Sequence, residues 1–167
     1  SSGDSAPPLV GKVISDAGLK QLRISETQKF RHVTSFFNGK STKPYPQEDQ
    51  VEVHGDYDPS SFASHPEMNA DDITDEVFKR FDDEYDFILI NYANCDMVGH
   101  TGEFDSAVKG AEVVDKNVKR VSEKALELGY EVIITADHGN SEEMVNTDTG
   151  EPKTSHTLNP VNMHMLS

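Results

Sequence analysis

The stretch FILINY, from Phe87 to Tyr92, is a near-continuous run of apolar residues. Such runs are typical of strands that are buried on both faces of a parallel sheet. Apolar residues then recur every three or four positions from Ala107 to Leu128, as on one face of an amphipathic helix. Gly129 ends this helix, and the apolar run Val132–Thr135 follows as a second buried strand. Strand, helix and strand predict a right-handed βαβ unit, and therefore an α/β fold with a mostly parallel sheet flanked by helices.

Weaker patterns organise the remainder of the chain. Residues 1–9 are small and Pro-containing, and we expect them to be extended or left over from cloning. Residues 40–70 are polar and Pro-containing and predict a long loop, which in a compact domain is usually functional or packed against another segment. The other predicted elements are a helix from Val10 to Leu22, a short helix opened by a capping box at Ser25 and running through Phe30, a strand from His32 to Phe37, a short strand at Val51–Val53 and a helix from Asp71 to Phe81.

The composition limits the partners that this protein can have. Among its 167 residues, 30 are acidic and 15 are basic, which gives a formal net charge of −15. Nucleic acids and anionic membranes bind basic surfaces, so we expect neither as a partner. No apolar run reaches the length of a membrane-spanning helix, and we expect no signal peptide. The single cysteine, Cys95, excludes an intrachain disulfide and favours a reducing compartment such as the cytoplasm.

Polar side chains follow both predicted strands at their C-terminal ends. Asp96 and His100 come after the first strand, and Asp137 and His138 come directly after the second. Ligands bind at this end of open α/β sheets, where neighbouring strands lie about 5 Å apart. Each pair alone is weak evidence, since Asp137 also suits a helix cap, and Asp96 and His100 fit either one helix face or a tight turn at Gly99. Together the two pairs indicate a metal site.

His156 lies in a polar loop after the second strand and is a candidate fifth ligand. Five ligands exceed the needs of one tetrahedral ion and suit two ions that share substrate oxygens. Mixed carboxylate and imidazole ligation favours Mn²⁺ or Zn²⁺ over Ca²⁺. Two such ions polarise a phosphoryl group and activate an oxygen nucleophile. The nucleophile itself is not evident, because Cys95 is best interpreted as a packing residue and Lys29, taken alone, as a surface residue.

Several motifs resemble those of the cofactor-independent phosphoglycerate mutases. They are GLKQLRISETQKF from Gly18 to Phe30, HVTSFFNG from His32 to Gly39, NCDMVGHTG from Asn94 to Gly102, ITADHGN from Ile134 to Asn140 and HTLNPV from His156 to Val161. They occur in the family's order and cover almost the whole chain, which makes the resemblance specific. The family belongs to the alkaline phosphatase superfamily, so residues 1–167 are expected to form a single, partial, alkaline-phosphatase-like domain that binds metal.

The resemblance implies interconversion of 3-phosphoglycerate and 2-phosphoglycerate, in glycolysis and gluconeogenesis, without 2,3-bisphosphoglycerate. In this family a serine accepts the phosphoryl group and returns it to the other hydroxyl group of the three-carbon acid. Two divalent ions serve that serine, usually Mn²⁺, with Zn²⁺, Co²⁺ or Mg²⁺ as alternatives. By this resemblance one ion would be held by Asp96, His100 and His156, and the second in part by Asp137 and His138.

Lys29 matches the family's active-site lysine, which contacts the transferring phosphoryl group, and this replaces its interpretation as a surface residue. The family's enzymes are much longer than this chain, and are expected to be monomers. Their nucleophilic serine and one metal-binding aspartate lie in an N-terminal segment, and their glycerate-binding arginines lie largely in an inserted domain. We therefore expect those segments to be partners of this one. The alternatives are another phosphatase of the superfamily, such as a phosphopentomutase, and a catalytically inactive metal-binding fragment.

Overall fold

A computed structural model describes residues 9–136 and the backbone of Met163–Leu166. The helices are α1 (Val10–Asp16), α2 (Phe30–Val33), α3 (Ala70–Arg80), α4 (Asn94–Gly99) and α5 (Phe104–Glu127). The strands are β1 (Gln21–Glu26), β2 (Glu48–Val53), β3 (Phe87–Asn91), β4 (Val132–Thr135) and β5 (Met163–Leu166). Short 3₁₀ turns occupy Thr27–Lys29, Pro59–Ser61 and Phe81–Asp83.

A three-stranded parallel sheet, in the order β2-β1-β3, organises the described region. Ile24 in the central strand lies between Val51 of β2 and Ile90 of β3. Leu22 and Ile24 are fully buried and form the main core with Ile73 and other apolar residues of α3 and α5. The predicted α/β class, with a parallel sheet flanked by helices, is therefore confirmed.

The opposite face of β1 carries a buried polar network. Arg23 is fully buried and forms an ion pair with Glu48 at 3.2 Å. Its guanidinium also donates to Gln21 Oε1 at 2.7 Å, to Asn38 Oδ1 at 3.1 Å and to the backbone carbonyl of Val33 at 2.8 Å. Val33 is the last residue of α2, so the network ties α2 to the sheet. The core tolerates the buried charge of Arg23 because Glu48 neutralises it and the guanidinium N–H groups have hydrogen-bond acceptors.

The N-terminal part of the chain differs from the sequence prediction. The first helix ends at Asp16 rather than Leu22, and Gly18 adopts a φ of 74° before the chain enters β1. Ser25 lies inside β1 and caps no helix. Residues 32–37 belong to α2 and to turns instead of forming a strand. The first two errors share a cause: β1 is buried at every position but contains polar side chains that pair internally, so its hydropathy does not mark a strand.

The structure confirms the two long helices that were predicted from the periodicity of their apolar residues. α3 spans Ala70–Arg80, and α5 spans Phe104–Glu127, followed by Gly129 with a φ of 92°. β3 is also where it was predicted, and β2 is longer than the short strand expected within residues 40–70. None of the helices in the described part of the chain is both long and apolar enough to cross a membrane.

β4 spans Val132–Thr135 as predicted, but its partner is β5, with which it pairs in antiparallel orientation. For the described residues, the predicted pairing of β3 and β4 in one sheet is therefore wrong, since β4 and β5 form a separate two-stranded sheet. Ile133 is 56% exposed, so β4 is not buried on both faces either. A run of β-branched residues predicts a strand but not its partner, because pairing depends on contacts distant in sequence.

Candidate active site

The candidate site forms where two neighbouring strands end. β1 and β3 run parallel, with Ser25 opposite Asn91, so their carboxyl ends lie at the same edge of the sheet. The turn Thr27–Lys29 continues directly from β1. α4 begins at Asn94, shortly after the end of β3. These two connections bring Lys29 and Asp96 into contact.

Lys29 Nζ and Asp96 Oδ2 form an ion pair. The side chain of Lys29 is 6% exposed and that of Asp96 is 11% exposed. A lysine is almost never buried to this degree unless it is paired. The interpretation of Lys29 as a surface residue is therefore wrong, and its contact with the transferring phosphoryl group, which the family resemblance implied, stays a prediction.

Asp96 and His100 lie one helical turn apart. α4 carries Asp96, and His100 caps its C-terminal end with helical backbone angles, φ −66° and ψ −16°. His100 Nε2 lies 3.0 Å from Asp96 Oδ1. Of the two geometries that the sequence allowed, the helix face is correct. The carboxylate oxygen and the imidazole nitrogen that meet here are both donor types that divalent ions such as Mn²⁺ and Zn²⁺ accept.

The remaining predicted ligands fall in a part of the chain that the structure does not describe. Asp137, His138 and His156 all lie outside residues 9–136 and 163–166. Within those two ranges, no group of three or more His, Cys, Asp and Glu side chains could hold a metal ion. The structure thus brings Lys29, Asp96 and His100 together, and the catalytic and metal-binding roles of all six residues stay predictions.

Cys95 is partly buried next to Asp96. Burial raises the pKa of its thiol, and the negative charge of Asp96 raises this pKa further. Both effects disfavour the thiolate, which is the nucleophilic form of cysteine. Cys95 is therefore consistent with its interpretation as a packing residue.

Two buried polar residues behind the site were missed by the sequence interpretation. Asn94, which is 0% exposed, donates its side-chain amide to two backbone carbonyls of the loop that precedes α3, at 2.7 and 2.8 Å. Glu26, which is 1% exposed, accepts the backbone N–H of Asn69 at 3.3 Å. Burial raises the pKa of Glu26 to about 7, although hydrogen bonds from the backbone N–H groups of Asn69 and Ala93 oppose this shift. Both residues lie inside the motifs that the chain shares with the family, and this was the sequence feature that could have indicated them.

The chain belongs to the metalloenzyme superfamily, whose family model matches residues 2–167. It is similar to the 2,3-bisphosphoglycerate-independent phosphoglycerate mutase 1 of Methanosarcina acetivorans, with 49% identity over 158 residues, which cover 92% of this chain and 30% of that relative. The corresponding mutase of Clostridium novyi is 50% identical over 153 residues, or 91% of this chain and 30% of the relative.

A solved structure gives the same result. The crystal structure of Leishmania mexicana phosphoglycerate mutase at low cobalt concentration matches this chain with a TM-score of 0.86 and 34% identity, over 93% of this chain and 30% of that one. These matches confirm the resemblance that the sequence motifs indicated. The chain spans about 30% of the length of the curated relatives it matches. Membership of the superfamily supports metal dependence, as the ligand motifs predicted.

Proposed function

We propose that the whole protein to which this chain belongs interconverts 3-phosphoglycerate and 2-phosphoglycerate without 2,3-bisphosphoglycerate. The similarity to mutases of this name over nine-tenths of the chain supports the reaction. The observation that carries the proposal is the buried ion pair of Lys29 and Asp96 at the ends of neighbouring strands. Transfer proceeds through a phosphoserine, whose serine belongs to the rest of the protein, and the reaction serves glycolysis and gluconeogenesis in the cytoplasm.

Lys29 supplies positive charge to the transferring phosphoryl group. A buried ammonium competes with little water, so it stabilises negative charge on the equatorial oxygens more strongly than a surface lysine does. The carboxylate of Asp96 offsets the cost of burying this cation before substrate arrives. Asp96 Oδ2 contacts Lys29, and Asp96 Oδ1 lies next to His100. Asp96 therefore contacts both the lysine that would bind the phosphoryl group and a second side chain that would bind the metal ion.

Asp96, His100 and His156 would hold one divalent ion, and Asp137 and His138 would contribute to a second. Carboxylate and imidazole ligands suit Mn²⁺, which we propose as the metal. When bound, such ions polarise the phosphoryl group and offset its negative charge. The net charge of −15 does not oppose an anionic substrate, because bound cations reverse the local field.

An assay that couples 2-phosphoglycerate formation to enolase tests the reaction on the whole protein. We expect Lys29→Ala to lower kcat/KM by about 10²–10³, the loss typical of one group that stabilises transition-state charge. Lys109→Ala is the matched control, since Lys109 is exposed on α5, and it should leave activity unchanged. Wild-type turnover by Lys29→Ala contradicts the proposed role of Lys29. Turnover of a phosphopentose in place of phosphoglycerate contradicts the proposed substrate.

Elemental analysis after dialysis against Mn²⁺ tests the metal site on the 167-residue chain itself. We expect one tightly held ion, because the second ion lacks ligands that the family places elsewhere in the protein. Asp96→Ala should abolish its binding. Two tightly held ions, or unchanged binding after Asp96→Ala, contradict this assignment. The same chain should show no mutase turnover alone, and turnover near that of the whole protein would contradict a serine supplied from elsewhere.

A further inference from the structure

Glu26 is the last residue of β1 and is 1% exposed. Its Oε2 accepts the backbone N–H of Asn69 at 3.3 Å. Asn69 immediately precedes α3, so this buried carboxyl group ties the end of the central strand to the start of α3. The backbone N–H of Ala93, which immediately precedes α4, lies near enough to the carboxyl group to oppose the rise of its pKa.

β1 and α4 each lead to one part of the candidate site. β1 continues through the turn Thr27–Lys29, which ends at the phosphoryl-binding cation. α4 carries Asp96, with His100 at its C-terminal end. The position of Lys29 relative to Asp96 therefore depends on where α4 begins relative to the end of β1. Misplacement of reacting groups by 1 Å can cost about 10²-fold in rate, so this position matters for function.

The start of α4 is also tied to the loop that Glu26 contacts. The side-chain amide of Asn94 donates to the backbone carbonyls of Pro66 at 2.7 Å and Glu67 at 2.8 Å. Asn69, in the same loop, donates its backbone N–H to Glu26. Buried polar groups with fixed partners favour a single arrangement of the elements they connect. Residues 66–69 thus form a bridge between α4 and the end of β1.

We propose that Glu26 is a positioning residue that sets the separation of Lys29 from Asp96 by accepting the backbone N–H of Asn69, in the loop that the Asn94 side chain ties to the start of α4. This inference rests on the proposed function, because it assumes that Lys29 and Asp96 act together on a phosphoryl group and a divalent ion. Glu26 Oε1 has no hydrogen-bond partner among the described residues, so Oε2 carries the contact with Asn69. Glutamine can place an oxygen at the position of Oε2, whereas alanine cannot.

Mn²⁺ affinity and steady-state kinetics of the whole protein test the inference with Glu26→Ala, Glu26→Gln and the control Glu112→Ala, at an exposed position of α5. We expect Glu26→Ala to weaken Mn²⁺ binding by about 10–100-fold, as for other residues that orient metal ligands. Its kcat should fall while the KM for phosphoglycerate changes little. Glu26→Gln should restore most of both losses, and Glu112→Ala should match the wild type. Wild-type Mn²⁺ affinity and kcat in Glu26→Ala, even with reduced thermal stability, overturn the proposal.

Amide hydrogen exchange of the metal-free protein gives a readout that does not depend on catalysis. We expect Glu26→Ala to speed exchange at Ala93 and along α4 more than in the rest of the core, and Glu26→Gln to retain protection. Equal protection of α4 in Glu26→Ala and the wild type overturns the proposal. If α4 loses protection in Glu26→Ala but the wild-type protein shows no mutase turnover, the proposed function has failed while the positioning of α4 by Glu26 holds.

Discussion

Replacement of Glu26 by glutamine is expected to change how the free energy of unfolding depends on pH. Burial is the main cause that raises the pKa of Glu26 from 4.5 to about 7, and the negative charge of Asp72 adds to it. Between these two pH values the folded protein therefore holds a proton at Glu26 that the unfolded chain has released. By linkage, the contribution of Glu26 to stability is greatest below about pH 4.5 and falls as the pH rises through about 7.

The size of this effect follows from the pKa shift. The change from 4.5 to about 7 is roughly 2.5 units, and each unit corresponds to about 1.4 kcal/mol. The contribution of Glu26 to the free energy of unfolding of the wild type should therefore fall by about 3 kcal/mol across this titration. Glutamine does not titrate, so Glu26→Gln lacks this loss of stability at higher pH. The free energy of unfolding of Glu26→Gln minus that of the wild type should rise by about 3 kcal/mol between pH 4 and pH 8.

Urea unfolding followed by circular dichroism measures this difference directly. Wild type, Glu26→Gln and the exposed control Glu112→Gln should be compared at several pH values from 4 to 8, with equal ionic strength. Glu112→Gln should differ from the wild type by an amount that varies little with pH. A difference for Glu26→Gln that stays constant within about 0.5 kcal/mol, or falls as the pH rises, would contradict a raised pKa of Glu26 in the folded protein.

The packing of the domain gives three further predictions, each measured by urea unfolding. Arg23→Met leaves the buried carboxylate of Glu48 unpaired and should cost about 3–5 kcal/mol, and an unchanged midpoint would contradict the role of this pair. Gly11→Ala places a methyl group against the guanidinium of Arg23 and should cost about 1–3 kcal/mol, whereas a neutral result would show that the guanidinium can move aside. Ile73→Ala removes a fully buried side chain and should cost about 2–5 kcal/mol, against about 0.5 kcal/mol or less for the exposed Val13→Ala.

Long periodic segments and motif spacing were sufficient to predict much of the fold and part of the site. α3 and α5 bury one regular stripe each, and β3 is a continuous apolar run, so hydropathy alone located them. The pairing of Asp96 with His100 followed from their spacing of four residues once α4 was seen to be helical. Lys29 was different: its residue type predicted exposure, and only the family motif indicated a place in the site.

The errors arose where stability comes from partners distant in sequence. β1 is the central strand, yet Gln21 and Arg23 make it polar, and the partners of Arg23, Asn38 and Glu48, lie many residues away. The partner of β4 is a strand more than two dozen residues later, which no local pattern specifies. Glu26 was overlooked for the same reason, because the backbone N–H that it accepts belongs to Asn69, 43 residues away.

We propose that Lys29, Asp96 and His100 form one phosphoryl- and metal-binding site at the ends of β1 and β3. Anomalous diffraction at the manganese edge, from crystals of the whole protein grown with Mn²⁺, tests it most directly. We expect a manganese peak within about 2.3 Å of the Asp96 carboxylate and of His100 Nε2, and its loss in Asp96→Asn crystals. A manganese peak bound only to other side chains, or no peak at a saturating Mn²⁺ concentration, would contradict the claim.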